Sequence, residues 1–555
     1  MTSKIFTFII AALAVQGASA KVRTTRQIIG EASQAFRACA AGMKAAKSGN
    51  GALKVLRRDT QLSVVGQEDG SRRVVVANDD TFKPVLAYYD ANGENPSLEW
   101  WLETMNRSLA KRLADGSLPY DAPRKAGLKE SVAPMLTTAW GQDTPYSNLT
   151  PTYTSGSREL HYVTGCVATT MAQVLNFYKY PEKGKGYNKW TYYPNGDSGA
   201  GVSARVNFNT TYDWANMLDS YKGGYNDAQA TAVATLMRDC GAACSMQYAA
   251  AGSGSSNYYA LVGMRKNLRF DQASKNYMRE FTPTPMWMDI IYTELSEGRP
   301  IMYSGATKDE EGHEFVLDGY DKDGLVHVEW GWDGNGNGYF DVDLLDSSEG
   351  SFSEGQQMLL VRKPGTTDYG YHSIWGLNSS LSITLSGSTI NVGKATFYNL
   401  DVDNFTGQVQ LLCFNVETNS GYLLSNISQL SDMACGSGGS LTLGKIDLAG
   451  IADGTYQLFF GSKSTEEGKV ESGWMPIYGG DGVVDNYILT AAGGKLSLQK
   501  GNDDWSVPTG ISHVAGGNSR HTAQRVFSID GRSLGTDLNS LGKGLYIVNG
   551  KKIAK

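Results

Sequence analysis

In HYVTGCVATTMAQVLNFYKYP, residues 161–181, a lone thiol, Cys166, follows a glycine at the head of an apolar stretch. Val167, Met171, Val174, Leu175 and Tyr178 recur at helical spacing and the pattern stops before Pro181, so a helix with one buried face is predicted to begin at Cys166. The unpaired N–H groups and positive dipole end at such a start favour an anion, and the expectation is a lowered thiol pKa and a nucleophilic thiolate. A buried structural cysteine fits the residue type as well. A base elsewhere in the chain has to decide between the two.

Three histidines are placed to serve. His161 lies in the polar approach to the helix, and His327, inside LVHVEW, reads as a strand residue with a structural role. His313 heads HEFVLDGY after the glycine-bearing EEG and is favoured on geometry. HEFVLDGY, DKDG and LVHVEWGW read as strand, turn and strand. With Tyr320 opposite Leu325, His313 faces Trp332 and Phe315 faces Trp330 on one side of the pair, where two indoles would wall the imidazole from water. Both tryptophans also fit as plain core aromatics. The same register points Glu329 away from His313. Acyl transfer needs donors aimed at an oxyanion, and AWGQDTPYSNL offers the carboxamide of Gln142 to act with the Cys166 backbone N–H.

The elements that must hold these groups fall into distinct pieces. The chain has 555 residues, enough for several folded units. Lys4, the apolar run Ile5–Val15 and Ala18-Ser19-Ala20 read as an export signal over 1–20. Residues 21–126 mix helical patterns (Thr25–Lys47, Leu98–Leu113) with short strands at Leu62–Val65 and Arg73–Ala77, and end in a basic connector, APRKAGLKE, open to proteolysis. Residues 127–365 are mixed α and β and carry the candidate chemistry. From 366 to 505 apolar and polar residues alternate between turn clusters, as in SLSITLSGSTINV, GQVQLLCFNV, SLTLGKIDL and GTYQLFFGS, the signature of a β-sandwich. Residues 506–555 are a linker followed by RVFSIDGRSL and KGLYIVNGKKIAK, two short strands with Asp-Gly and Asn-Gly turns.

Composition excludes several partners. With 50 Lys+Arg against 56 Asp+Glu and no basic run interleaved with aromatics, nucleic acid is not expected. No segment after the signal approaches the roughly 18 consecutive apolar residues of a membrane helix. The six cysteines are too few for a stapling framework; Cys240 and Cys244 read as core, and Cys413 and Cys435 could pair if strands bring them together. No cofactor or metal is called for.

At GQDTPY, TGCVATTMAQVLNFYKYP, GHEFVLDGY and HVEWGWDGNGNGYF, over roughly residues 130–364, the chain resembles the streptopain family of papain-like cysteine proteases, and VVVANDDTFKPVLAYYD looks like part of that family's propeptide. The resemblance implies an α+β fold: a papain-like catalytic domain with an α+β propeptide, then an all-β immunoglobulin-like sandwich region and a small β sorting domain. It implies a secreted zymogen acting on protein or peptide substrates, with its own propeptide as intramolecular inhibitor, Cys166 as nucleophile, His313 as general base and acid, and Gln142 in the oxyanion hole. Ser253 in AAAGSGSSNYY, Gly312, Trp330 and Trp332 map to the substrate cleft. Glu329 departs from the asparagine of many relatives and leaves the group that orients the imidazole open. The last residues resemble a type IX secretion sorting domain, implying export through the periplasm and outer membrane of a bacterium. Another Cys-His acyltransferase, a cell-wall peptidase, or a non-enzymatic surface adhesin are the competing readings.

Overall fold

The structure is a computed structural model that describes residues 21–39, 51–68, 70–117, 121, 124–196, 199–306, 312–345, 354–366, 368–424, 428–466 and 469–511, together with short strands at 514–515, 526–528, 533–535, 545–548 and 551–554. The expected export signal lies outside the described residues, as do residues 40–47 of the helical pattern expected over Thr25–Lys47. The chain divides into two compact units, one formed by 1–119 with 320–328 and 335–351, the other by 120–319, 329–334 and 352–555.

The first unit begins with helix α1 (Thr25–Cys39). Thr24 and Gln27 cap it reciprocally, each side chain meeting the other's backbone N–H. Ile28 and Ala32, fully buried, press it onto a meander of four antiparallel strands, Lys54–Arg58, Leu62–Gly66, Arg72–Ala77 and Val85–Asp90, with registers such as Val64↔Val75 and Val74↔Tyr88. Both short strands expected from the sequence are present, lengthened by a residue. Helix α2 (Pro96–Asp115) starts where Asn95 accepts from the Leu98 N–H and stops at Gly116. Its apolar face of Leu98, Trp101, Leu102, Met105 and Leu109 is buried, with Trp101 edge-on to Phe340.

Gly338–Phe340 belongs to this unit because it pairs with the last strand of the meander, Tyr339 opposite Tyr88. The contact is reinforced by the Gly336 N–H to the Asp90 carbonyl at 2.7 Å, Asn95 to the Asn335 carbonyl at 2.7 Å, and the Tyr88 hydroxyl to Asp321 at 3.0 Å. Residues on either side of 120 are thus knitted together well beyond sequence proximity.

The second unit is organised around helix α3 (Cys166–Tyr178), in which every residue from Val167 to Asn176 is buried. It is flanked by α4 (Asp227–Ala243) and α5 (Asn257–Lys266), and a further helix, α6, spans Thr284–Ser296. The predicted helix is therefore buried on all sides, not on one face: Thr169, Thr170 and Gln173, polar in the sequence pattern, are as enclosed as Met171 and Leu175. Four antiparallel strands, Gly312–Tyr320, Ile301–Ala306, Glu354–Leu360 and Lys275–Met278, follow in that order, with Gly305 opposite His313, Ser304 opposite Glu314 and Met302 opposite Leu359.

After residue 365 the described regular elements of the second unit are strands, apart from a short 3-10 turn at Val470–Ser472. Thr389–Asn399 and Gly438–Asp447 anchor one sheet, and Phe405–Asn415, Gly454–Ser464 and Asn486–Ala492 another. Alternate residues of both, including Ile390, Phe397, Leu411, Cys413, Leu458, Phe460 and Leu489, share one core. Cys413 is buried there and Cys435 sits half-buried on a turn; both are free thiols, so the pairing allowed by sequence does not form. This β region is tied to the helical part by ion pairs: Lys275–Glu471 at 2.7 Å with both partners buried, Arg265–Asp401 at 2.9 Å, and Arg279–Asp481 at 2.6 Å. Such pairs are costly to break one-sidedly, because the remaining charge is stranded away from water. The two terminal strands expected near the end are each divided in two, giving a four-stranded sheet of Val526–Ser528, Ser533–Gly535, Leu545–Val548 and Lys551–Ala554. No helix among the described residues is long and apolar enough to cross a membrane.

Candidate active site

Helix α3 begins at Cys166 because Gly165, at φ +83°, turns the chain into it; a side chain there would lie 2.7 Å from the Met246 sulfur and the Ser253 carbonyl. Cys166 is half-buried and its thiol is free. The sulfur receives the backbone N–H of Glu314, the residue that follows His313, so helix start and histidine strand meet at the nucleophile.

The expectation of a lowered thiol pKa is not met in this state. Desolvation outweighs the helix end and the Glu314 N–H, and the thiol is pushed up to about 11. His313, 7% exposed, is held down to about 4 by burial, against a hydrogen bond to the Trp330 carbonyl that favours its charged form. The resting pair is therefore a neutral thiol and a neutral imidazole.

The imidazole is oriented by a group that sequence reasoning missed. His313 Nε2 lies 2.8 Å from the Trp330 backbone oxygen. A carbonyl only accepts, so Nε2 carries the proton and Nδ1 has the free lone pair. The ring lies near parallel to Trp332 and Trp330, with centroids 5.9 Å and 6.2 Å away, and Phe315 stacks at 6.2 Å; Phe315 and Trp330 are 4.8 Å apart. Glu329 is hydrogen-bonded to Gln173 and to the backbone at Gly331: its buried carboxylate accepts from the Gln173 side-chain amide and from the Gly331 N–H at 3.0 Å, and Gln173 in turn accepts from the Thr138 hydroxyl at 2.8 Å.

Gln142 is 9% exposed, and its carbonyl accepts the Thr164 N–H at 3.1 Å, two residues before the nucleophile. The neighbouring Trp140 carbonyl accepts the Asp333 N–H at 3.0 Å, so this loop is fastened both to the helix entrance and to the segment bearing Trp332. Ser253 reaches the same entrance through its carbonyl against Gly165, and its hydroxyl is buried with no hydrogen-bond partner among the described residues. Gly312 is exposed and pairs with Ala306. The other two histidines are engaged elsewhere: His161 Nδ1 with the Thr150 carbonyl at 2.8 Å, and His327 edge-on to Tyr339 at 5.0 Å. Cys240 and Cys244 are fully buried in the helical core.

Glu314 escaped notice in the sequence, although a carboxylate inside the otherwise buried strand HEFVLDGY is a visible anomaly. It is 2% exposed, and burial pushes its pKa up to about 8. A carboxyl whose folded pKa is raised contributes stability in full below its unfolded pKa and loses that contribution as pH rises through the folded value. The melting temperature is expected to fall between about pH 5 and pH 8, and Glu314→Gln to flatten that slope, gaining about 2–4 kcal/mol at pH 8.5 but little at pH 4.5. Thermal melts of the two proteins at those pH values are the check.

A thiol at the head of a central buried helix, set against a histidine-bearing antiparallel sheet, defines a papain-like cysteine peptidase. The model of the peptidase C10 family matches residues 140–340. The thiol protease/hemagglutinin PrtT of Porphyromonas gingivalis is 31% identical over 389 residues, 64% of this chain and 43% of PrtT. Streptopain of Streptococcus pyogenes is 29% identical over 294 residues, 50% of this chain and 72% of streptopain. The chain thus spans less than half the length of PrtT. Among solved structures, a prointerpain A fragment from Prevotella intermedia, a cysteine-to-alanine mutant, is similar with a TM-score of 0.51 at 37% identity, covering 55% of this chain and 97% of the fragment. The chain belongs to the peptidase C10 family, the streptopain-like cysteine peptidases.

Proposed function

We propose that the chain is a secreted cysteine endopeptidase made as a latent zymogen, cleaving proteins and peptides. The observation that carries this reading is the thiol of Cys166 bonded to the N–H that follows His313. In the proposed reaction the Cys166 S–H proton passes to His313 Nδ1 and the sulfur attacks the peptide carbonyl carbon. The oxyanion is met by the Cys166 backbone N–H and the Gln142 carboxamide. The C–N bond breaks as Nδ1 protonates the leaving amine; water then adds to the thioester, giving its proton to Nδ1, and the C–S bond breaks to release the acid. Trp332 and Trp330 keep water from the ring, and Ser253 and Gly312 border the cleft.

Residues 21 to about 126 are the inhibitory propeptide in this reading. Support comes from the strand Val85–Asp90 lying against Gly338–Phe340, a few residues past Trp332, and from the pro-form named in the interpain structure. Release is expected by cleavage at Arg124 or Lys125, where the chain is exposed at Lys125–Gly127; the Lys125–Asp289 pair at 2.6 Å, Arg124 to the Glu130 carbonyl at 2.9 Å and Arg124 over the Tyr292 ring are among its contacts. The uncut chain is expected to be inactive on a protein substrate, with activity appearing as mass spectrometry records loss of the N-terminal piece. Equal activity of cut and uncut forms would sink the latency reading. The two-sheet region is read as an immunoglobulin-like sandwich. The terminal sheet is read as a sorting domain for the type IX secretion machinery, which with the signal at 1–20 gives export to the cell surface or medium.

A further inference from the structure

The Trp330 carbonyl that receives His313 Nε2–H and the Gly331 N–H that donates to Glu329 are the two ends of one peptide group. From the imidazole outward the chain of bonds runs His313 N–H to Trp330 C=O, Gly331 N–H to the Glu329 carboxylate, and Gln173 N–H to the same carboxylate oxygen. We propose that Glu329 is a positioning residue for His313 that acts through this peptide: its negative charge polarises the amide, and the polarised Trp330 carbonyl holds and stabilises the imidazolium formed in each turnover. The proposal rests on Cys166 and His313 being the reacting pair.

Three features support it. A hydrogen-bonded amide polarised at its N–H end is a better acceptor at its carbonyl end, and the effect is strongest away from water; His313, Glu329 and Trp330 are all buried. The peptide can present its two ends in these directions because Gly331 takes φ +76°, a conformation costly for other residues. The carboxylate itself is fixed: Gln173 sits on the buried helix that begins at Cys166, and its other end is bound by Thr138. One helix thus carries both the nucleophile and the donor that sets the imidazole's support.

The other titratable groups about His313 are Cys166 on α3 and Glu314 on its own strand. Tyr303 on the neighbouring strand donates to Gln356, Asp318 accepts the Leu136 N–H, and Asp333 accepts the Tyr146 hydroxyl. Glu314 titrates near the window of interest, so the test is run in a Glu314→Gln background.

The experiment is the pH dependence of kcat/KM on a peptide substrate, on the enzyme once its activity has appeared, with and without Glu329→Gln. In the ion pair through which the active form turns over, kcat/KM falls on the alkaline side when the imidazolium that must protonate the leaving amine loses its proton. Removing the anion is expected to move that limb down by about one pH unit, and to lower kcat/KM about tenfold at neutral pH with KM nearly unchanged. A residue that only held the fold would lower the rate at every pH and leave the limb in place, and that result would overturn the proposal. Glu329→Asp keeps the charge one methylene further from Gly331 and is expected to restore most of the shift; if Glu329→Gln fails to fold, a limb in Glu329→Asp at the unsubstituted position together with one lowered in Glu329→Asn sustains the relay, and identical limbs in both reject it. Loss of reactivity at Cys166 in His313→Ala belongs to the underlying reading and separates its failure from that of the relay.

Discussion

Cys166→Ser is expected to reduce peptide hydrolysis by at least about 10⁴-fold while the fold and its melting temperature are retained. The size follows from the step removed. A nucleophile that acts as one unit with its base carries nearly the whole covalent route, and its loss leaves only what binding and oxyanion stabilisation can do. The hydroxyl is close in volume to the thiol, and Gly165 and the Glu314 N–H are undisturbed, so packing gives no reason for instability. The same variant separates the competing functions. A binding protein that works through its β region would keep its full effect. An acyltransferase would lose amine incorporation instead of proteolysis, and assays of both products on the unsubstituted enzyme tell them apart.

Gln142→Ala is expected to lower kcat by about 10²–10³-fold with little change in KM, the usual consequence of losing one oxyanion donor. In that reading the loop would hold the donor still. Its backbone is pinned on one side by the Thr164 N–H to the Gln142 carbonyl and on the other by the Asp333 N–H to the Trp140 carbonyl. Neither bond uses the Gln142 side chain, so the alanine variant should keep the loop and lose only the carboxamide. Steady-state kinetics on a peptide substrate are the check. A variant with unchanged kcat and raised KM would make Gln142 a ground-state contact and move the oxyanion elsewhere.

The parts of this site that were legible in the sequence are those where local pattern and chemistry coincide. The helix entrance at Gly165-Cys166 was readable from apolar spacing and a glycine. The aromatic grouping of His313, Phe315, Trp330 and Trp332 was expected from strand alternation, and the rings do gather, although the strand ends at Glu329 and both tryptophans lie beyond it. Backbone chemistry was not legible. That a peptide carbonyl orients the imidazole depends on the path of residues 329–331, and no residue type advertises a carbonyl. The pKa of Cys166 was misjudged for a related reason: a helix start is a local feature, whereas the desolvation that overrides it comes from elements far apart in the chain. Glu314 and Gln173 were overlooked because a polar residue in a buried strand or helix acquires meaning only with its partners. The grouping of Gly338–Phe340 with the N-terminal meander is likewise a matter of long-range strand pairing, invisible to periodicity.

The central claim is that Cys166 is the nucleophile and His313 its base. The most direct measurement is covalent trapping with a peptidyl epoxide, followed by peptide mapping of the enzyme and of His313→Ala. A single adduct on Cys166, formed in step with loss of activity and absent or greatly slowed without the imidazole, is the result expected. Full inactivation with the adduct on another cysteine, or an undiminished rate of trapping in His313→Ala, would contradict it.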